Sequence, residues 1–274
     1  MPELPEVETV LRGLAPHLLG RSLVAATVRE ARLRWPVPAD LEARVQGRLI
    51  LGLQRRGKYL LLQLEDGHLL CHLGMSGNLR LVPGETPPRK HDHIDLLLDD
   101  GRVLRYHDPR RFGAVVFAPS QDSAPARKLL AHLGVEPLEG DFDAEVFYRQ
   151  LKLRRSAIKQ VLLAGELVVG VGNIYASESL FLAGIRPTVR ADRISRVRAA
   201  KLHEAIVRVL SKAVEKGGST LKDFSSASGA QGYFQLEAMV YDRAGEPCRV
   251  CATPIRQLRQ GQRSTFYCPK CQKA

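Results

Sequence analysis

The chain has 274 residues, 45% of them hydrophobic, and sets 41 Lys and Arg against 29 Asp and Glu for a formal net charge of +12. That apolar content supports one large core or two modest ones and argues against a disordered chain. No run approaches 18 apolar residues, so no membrane-spanning helix is expected; the excess cation calls for a polyanion such as nucleic acid, with a solvated Arg-rich surface as the bland alternative.

The opening MPELPEVET carries acids where a signal peptide needs a basic and then an apolar run. Residence in the cytosol, associated with the nucleoid, is expected, and with it reduced cysteines. Leu4, Val7, Val10, Leu11, Leu14 and Leu18 recur at three- and four-residue spacing and predict a helix over 3–19. Pro5 suits its first turn and Gly20 its stop. From about 22 to 118 the period changes to two. Strands are expected at 22–28, 49–53, 59–64, 68–73, 94–98 and 103–106. Glu65-Asp66-Gly67 and Asp99-Asp100-Gly101 are hairpin turns between them. Repeated hairpins suggest an antiparallel sandwich or barrel.

After Pro119 the pattern turns helical, with candidates at 124–133, 144–151, 157–163, 174–182 and 196–216. The Gly- and Ser-rich stretch 217–235 predicts a mobile loop. The fold class is therefore α+β. The expected division is 1–120 as a β domain, 121–240 as a helical domain and 241–274 as a short cysteine-punctuated end.

Cys248-x2-Cys251-x16-Cys268-x2-Cys271 pairs two knuckles that can set four thiolates tetrahedrally around one ion. One structural Zn2+ is expected, because four thiolates leave no position for substrate and so small a segment lacks a core of its own. Seven Lys or Arg in 241–274 stand against Asp242 and Glu246, which points this module at phosphate. The fifth cysteine, Cys71, lies in a strand pattern and reads as a small buried hydrophobe.

Met1-Pro2 is a start from which the methionine can be removed, leaving a secondary amine. A neutral amine of this kind can attack the anomeric carbon of a sugar. The resulting iminium cannot shed its charge at nitrogen and so acts as an electron sink for eliminating flanking phosphates. A retained methionine would block that amine. Glu3 and Glu6, one turn apart, can shuttle protons beside it; acids at a helix start also complement the macrodipole with no further role. Gly170-Val171-Gly172-Asn173 opens a helix with exposed N–H groups and forms an anion site.

The strings PELPEVET, GKY at 57–59, HLGMSG at 72–77, DPRRFG at 108–113, GVGNIYASE at 170–178, GYFQ at 232–235 and the four-cysteine finger stand in one order, from residue 2 to residue 272. Together they closely resemble formamidopyrimidine-DNA glycosylases of the MutM type. The resemblance implies an N-terminal helix plus antiparallel β-sandwich, then a helical domain with a helix–two-turn–helix motif and a zinc finger. It implies a bifunctional glycosylase and lyase that removes 8-oxoguanine and formamidopyrimidines from duplex DNA and cuts the strand by β,δ-elimination.

Carried over residue by residue, Pro2 is the Schiff-base nucleophile, Glu3 the general acid/base with Glu6 in support, and Lys58 a cation at the lesion and its phosphate. Met75, Arg110 and Phe112 fill the void left by the extruded nucleotide, and Arg110 also contacts DNA. Asn173 and Arg263 bind phosphate, and Lys159 contacts DNA near the base pocket. A DNA-contacting histidine is expected at position 92, within the run His91-Asp92-His93. Ser219, Thr220, Phe224, Gly232 and Tyr233 belong to a lid over the base, while Glu178 reads either the base or its own helix packing. PELPE at the start and the long GYFQ-ended loop favour this purine type over the endonuclease VIII type, which takes oxidised pyrimidines. A non-catalytic zinc-finger lesion binder is the alternative outside enzymes; it leaves Pro2-Glu3 and Lys58 without a reason. A monomer is expected, since a lesion lacks two-fold symmetry.

Overall fold

The computed structural model describes residues 2–218 and 238–274. The chain divides into two compact units. Among the described residues one holds 2–132 with 217–218, and the other 133–216 with 238–274.

The first unit opens with α1 (Leu4–Leu18) and continues with β1 (Ser22–Val28), α2 (Leu41–Val45), β2 (Arg48–Arg56), β3 (Tyr59–Leu64), β4 (Gly67–His72), β5 (Asn78–Pro83), β6 (Asp92–Leu98), β7 (Arg102–His107), β8 (Ala114–Ala118) and α3 (Ala124–Leu130). Strand order is β5-β7-β6-β1-β2-β3-β4-β8, every neighbouring pair antiparallel. β1 and β2 share only the pairs Ser22↔Leu49 and Leu23↔Arg48. That short hinge lets the two four-stranded halves close on each other as a β-sandwich.

The core follows the two periods. Val7, Val10, Leu14 and Leu18 of α1 meet Leu23, Ile50, Leu60, Leu62, Leu64, Leu69, Leu96 and Leu104, all with at most 2% exposure. Truncating Leu14 to Ala there would cost about 2–5 kcal/mol. Cys71 lies in the same core, its thiol pushed up to about 12 by burial; it is inert packing. β8 is buried on both faces. Val115 and Phe117 enter the sandwich, while Ala114, Val116 and Ala118 face α3 through Ala126 and Leu129. Helix α3, expected in the helical half of the chain, therefore covers the sheet of the first unit.

The second unit holds α4 (Ala144–Lys152), α5 (Ile158–Ala164), α6 (Asn173–Leu182), a 3-10 turn (Ala191–Arg193), α7 (Arg196–Glu215), β9 (Arg256–Gln260) and β10 (Arg263–Tyr267). Asp143 caps α4 by accepting from Glu145 N and Val146 N, and Ser195 caps α7. Leu202, Ile206, Leu210 and Ala213 of α7 are fully buried in the packing against α4 and α6. α5 stops at Gly165, whose φ of 71° reverses the chain. The double turn to α6 is stitched to the chain before α4 by Gly134 N→Gly165 O and Val135 N→Leu167 O. No helix among the described residues is long and apolar enough to cross a membrane.

Candidate active site and nucleic-acid contacts

In the first unit the site begins at the start of α1. Pro2, Glu3 and Glu6 are all buried, the two acids at 2% and 0% exposure. The Glu6 carboxylate accepts the Glu3 N–H at 2.7 Å. Glu6 thereby fixes the chain direction at Glu3, a supporting role. Gly218, at φ +81°, packs its backbone on Glu6 so closely that a Cβ would stand 3.0 Å from Oε1.

Lys58 sits in the tight turn from β2 to β3, after Gly57 at φ +58°. Arg55 controls that turn. Its Nη1 donates to the Gly57 carbonyl at 3.2 Å, and its Nε to Glu8 of α1 at 2.9 Å. The helix that begins at the acid pair and the turn that carries Lys58 are thus joined through one guanidinium. His72, at the end of β4, lies beside this turn and against the Tyr59 ring. Burial, then the charges of Lys58 and Arg34, push its imidazole down to about 4. It is neutral at physiological pH, and its Nδ1 accepts the Gly74 N–H at 3.0 Å.

Met75 and the pair Arg110 and Phe112 lie on two loops that connect the sheets at one end of the sandwich. Met75 is half-buried, Phe112 is 41% exposed, and the Arg110 guanidinium stacks over the Phe112 ring at 4.7 Å. Arg111 between them adopts φ +55°, a strained turn that puts its two neighbours on the same side of the loop.

The expectation of a DNA-contacting histidine at position 92 is corrected. The residue there is Asp92, 2% exposed. Its carboxylate accepts two bonds from Arg80 at 2.8 and 2.9 Å, one from Arg89 N, and lies 2.8 Å from His107 Nδ1. His93 is also buried, 2.8 Å through Nε2 from the Asp108 carbonyl. The partly exposed imidazole of this run is that of His91.

In the second unit Asn173 is the first residue of α6, after the extended N-cap Gly172. Its Nδ2 donates to the Ser264 carbonyl at 3.0 Å. Lys159 is fully buried, and its Nζ donates to Ser264 O at 3.0 Å and Thr265 Oγ1 at 2.8 Å. An ammonium so placed braces β10. Arg263 is the residue next along that strand. It follows a two-residue hairpin, Gly261 and Gln262 at φ +49° and +63°, whose left-handed pair matches the twist of β9 and β10. Among the described residues no acid holds its guanidinium.

The four finger cysteines converge, their Sγ atoms all within 4.8 Å of one another. Cys248–Cys271 and Cys251–Cys268 are 3.9 and 3.5 Å apart. A Zn–S bond of about 2.3 Å gives a tetrahedron with edges of about 3.8 Å, so these residues fit one zinc ion. Val250 N and Cys271 N point at Cys248 Sγ and Cys268 Sγ, where they stabilise thiolate charge. The ion's role is structural. The small cluster it staples consists of Phe181, Val240, Ile255 and Phe266. Glu178, left open between base reading and packing, accepts N–H bonds from Met239, Val240 and Tyr241 at 2.8, 3.0 and 2.8 Å and is 4% exposed. It anchors the chain entering the finger to α6. Of the lid residues, Ser219, Thr220, Phe224, Gly232 and Tyr233 lie outside the described residues.

Sequence reasoning missed Arg55, Glu8, His72, Tyr106 and Asp108. Asp108 opens the DPRRFG string already singled out, Tyr106 stands two residues before it, and Arg55 stands two residues before Gly57; each was readable as a neighbour of a site residue, but not as its support.

A cation-rich zinc protein directed at nucleic acid is the class that this fold and charge define. Comparison with known proteins narrows it. Residues 1–115 match the formamidopyrimidine-DNA glycosylase N-terminal domain, 133–225 its H2TH domain, and 245–274 a zinc finger found in FPG and IleRS. Proteins called formamidopyrimidine-DNA glycosylase from Variovorax paradoxus and Cupriavidus pinatubonensis are 60% and 57% identical, over 100% and 99% of this chain and all of theirs. The crystal structure of the MutM (Fpg) protein of Thermus thermophilus superimposes with a TM-score of 0.90 at 39% identity, covering 99% of this chain and 98% of that one. A Lactococcus lactis Fpg variant bound to Fapy-dG-containing DNA gives 0.92 at 35% identity over the whole of both chains. The chain belongs to the formamidopyrimidine-DNA glycosylase family.

Proposed function

We propose that this chain excises oxidised purines, 8-oxoguanine and formamidopyrimidines, from duplex DNA and then cuts the abasic strand, as the first enzyme of base excision repair. Pro2, once amino-terminal, attacks C1′ through its nitrogen. The base leaves with a proton, and Glu3 relays protons to the base and to the opening sugar. The sugar is left bound to Pro2 as an iminium, which withdraws electrons while the 3′ and then the 5′ phosphate depart. Lys58 stabilises the charge developing at the lesion and its phosphate. Asn173 and Arg263 hold the backbone, while Met75, Arg110 and Phe112 occupy the gap in the stack. The lid residues 219–235 read the base. The zinc ion folds the finger and takes no part in the chemistry. The enzyme acts as a monomer in the cytoplasm, associated with the nucleoid.

The observation that carries this reading is the tie between the buried Glu3–Glu6 start of α1 and the Lys58 turn through Glu8 and Arg55. A lesion binder needs no buried acid pair on a helix tied in this way to a lysine-bearing turn. The test is sodium borohydride trapping on duplexes containing 8-oxoguanine opposite cytosine or dihydrothymine. Trapping on the first supports the reading. Trapping on the second alone assigns the pyrimidine type. No adduct with either, from protein verified to begin at Pro2, leaves only a binder.

A further inference from the structure

The loops bearing Met75 and Arg110–Phe112 are companions in topology. The first leaves β4 and enters β5, the second leaves β7 and enters β8, and both β4–β8 and β5–β7 are paired strands. The two loops therefore cross between the sheets at the same end, side by side. They touch through backbone. At Gly74, φ +63°, a Cβ would stand 2.6 Å from Gly113 N and 2.7 Å from the Phe112 carbonyl carbon. At Gly113 it would overlap the Tyr106 hydroxyl and the His72 carbonyl oxygen. Tyr106, 1% exposed, sits between the loops. Its hydroxyl donates to the His72 carbonyl at 2.9 Å, where the first loop begins, and lies 3.4 Å from Asp108 Oδ2. That same carboxylate oxygen accepts the Gly113 N–H at 2.8 Å, where the second loop ends. One phenol and one carboxylate thus fasten the ends of both loops to each other.

We propose that Tyr106, acting with Asp108, is a positioning residue that makes the two loops one rigid wedge, so that Met75, Arg110 and Phe112 enter the DNA stack together. A wedge in two independent pieces would have to order each piece at the moment of insertion. The inference rests on the void-filling roles given to those three side chains under the proposed function.

The test is a double-mutant cycle on the full-length, zinc-loaded enzyme, read as the single-turnover rate of 8-oxoguanine excision opposite cytosine. Met75→Ala and Phe112→Ala are measured singly and together, in the native background and with Tyr106→Phe. In the native background the combined loss is far smaller than the product of the single losses, as for groups that act as a unit. Tyr106→Phe slows excision about three- to tenfold, the worth of one neutral hydrogen bond, with little change in KM. In that background the two losses become multiplicative. Asp108→Asn, which weakens the Gly113 end without touching the packed ring, produces the same loss of coupling. A Tyr106→Phe enzyme with the native rate and native coupling overturns the inference. A Met75→Ala/Phe112→Ala enzyme of unchanged rate overturns instead the void-filling reading beneath it. A Tyr106→Phe enzyme that is merely less heat-stable, its coupling intact, marks the hydroxyl as structural and also rejects the inference.

Discussion

Arg55 and Glu8 form a hydrogen-bonded ion pair 2.9 Å long, with the Arg55 side chain only 5% exposed. Glu8 also holds Arg12 at 2.8 Å, so the carboxylate keeps one partner when the other is removed. Arg55 Nη1 meanwhile donates to the Gly57 carbonyl at 3.2 Å.

Arg55→Met should therefore act on catalysis more than on stability. The Lys58 turn loses its brace while its sequence is intact, and a displaced charge near the reacting centre lowers kcat about 10- to 100-fold. The folding cost is about 1–2 kcal/mol, since Glu8 remains paired with Arg12. Single-turnover kinetics beside a urea titration separate the two effects.

His72 predicts a pH dependence of stability. Its imidazole is held down to about 4 by burial, then by Lys58 and Arg34, against about 6.5 when unfolded. Below 6.5 the unfolded chain binds a proton that the folded chain refuses. Stability contributed by the neutral ring is complete above about 6.5 and is lost as pH falls toward 4, by an amount on the order of 3 kcal/mol. Denaturant titrations from pH 7.5 to 4.5 should show that slope, and His72→Gln should flatten it.

Much of the fold was legible because local pattern and global packing agree. The spacing of Leu4, Val7, Val10, Leu14 and Leu18 made α1 visible, and these residues are the ones it buries. The Asp-Gly turns marked the β3–β4 and β6–β7 hairpins. β8 escaped because AVVFA is apolar on both faces, buried between the sandwich interior and α3, and so shows no alternation. The β9–β10 hairpin was marked by the cysteine knuckles and not by periodicity, because RQLRQ and RSTFY are held by a metal staple and not by an apolar face.

The site was legible as residue types but not as partnerships. Lys159 entered as a cation near the base pocket through the resemblance, with nothing in its own neighbours to show what its ammonium meets. The approach of β10 gives that ammonium two partners, Ser264 and Thr265. Position 92 failed on identity alone: the sequence has Asp92 between His91 and His93, and its carboxylate is taken up by Arg80 of β5 and His107 of β7.

Lys159→Met and Arg263→Ala should consequently fail in different ways. Losing Arg263 removes one phosphate contact and lowers the magnitude of the salt-dependence slope of DNA binding by about 1. Losing the Lys159 ammonium leaves buried acceptors without a donor at a cost of about 1–3 kcal/mol. It weakens binding through the shape of β10 while leaving the salt slope closer to native. Affinities measured across a salt series distinguish them.

Zinc removal should unfold the finger and spare the sandwich. A chelator or Cys268→Ala should release one equivalent of zinc and abolish tight DNA binding. The first unit's core contains no finger residue, so its cooperative thermal transition should persist in calorimetry.

The most direct measurement is the site of the covalent adduct. Enzyme and 8-oxoguanine duplex are reduced with borohydride, digested, and the sugar-bearing peptide is sequenced by mass spectrometry. The account predicts a single adduct on the amine of Pro2 in a peptide that has lost Met1. An adduct on Lys58, or full strand cleavage by protein that retains Met1, would contradict it.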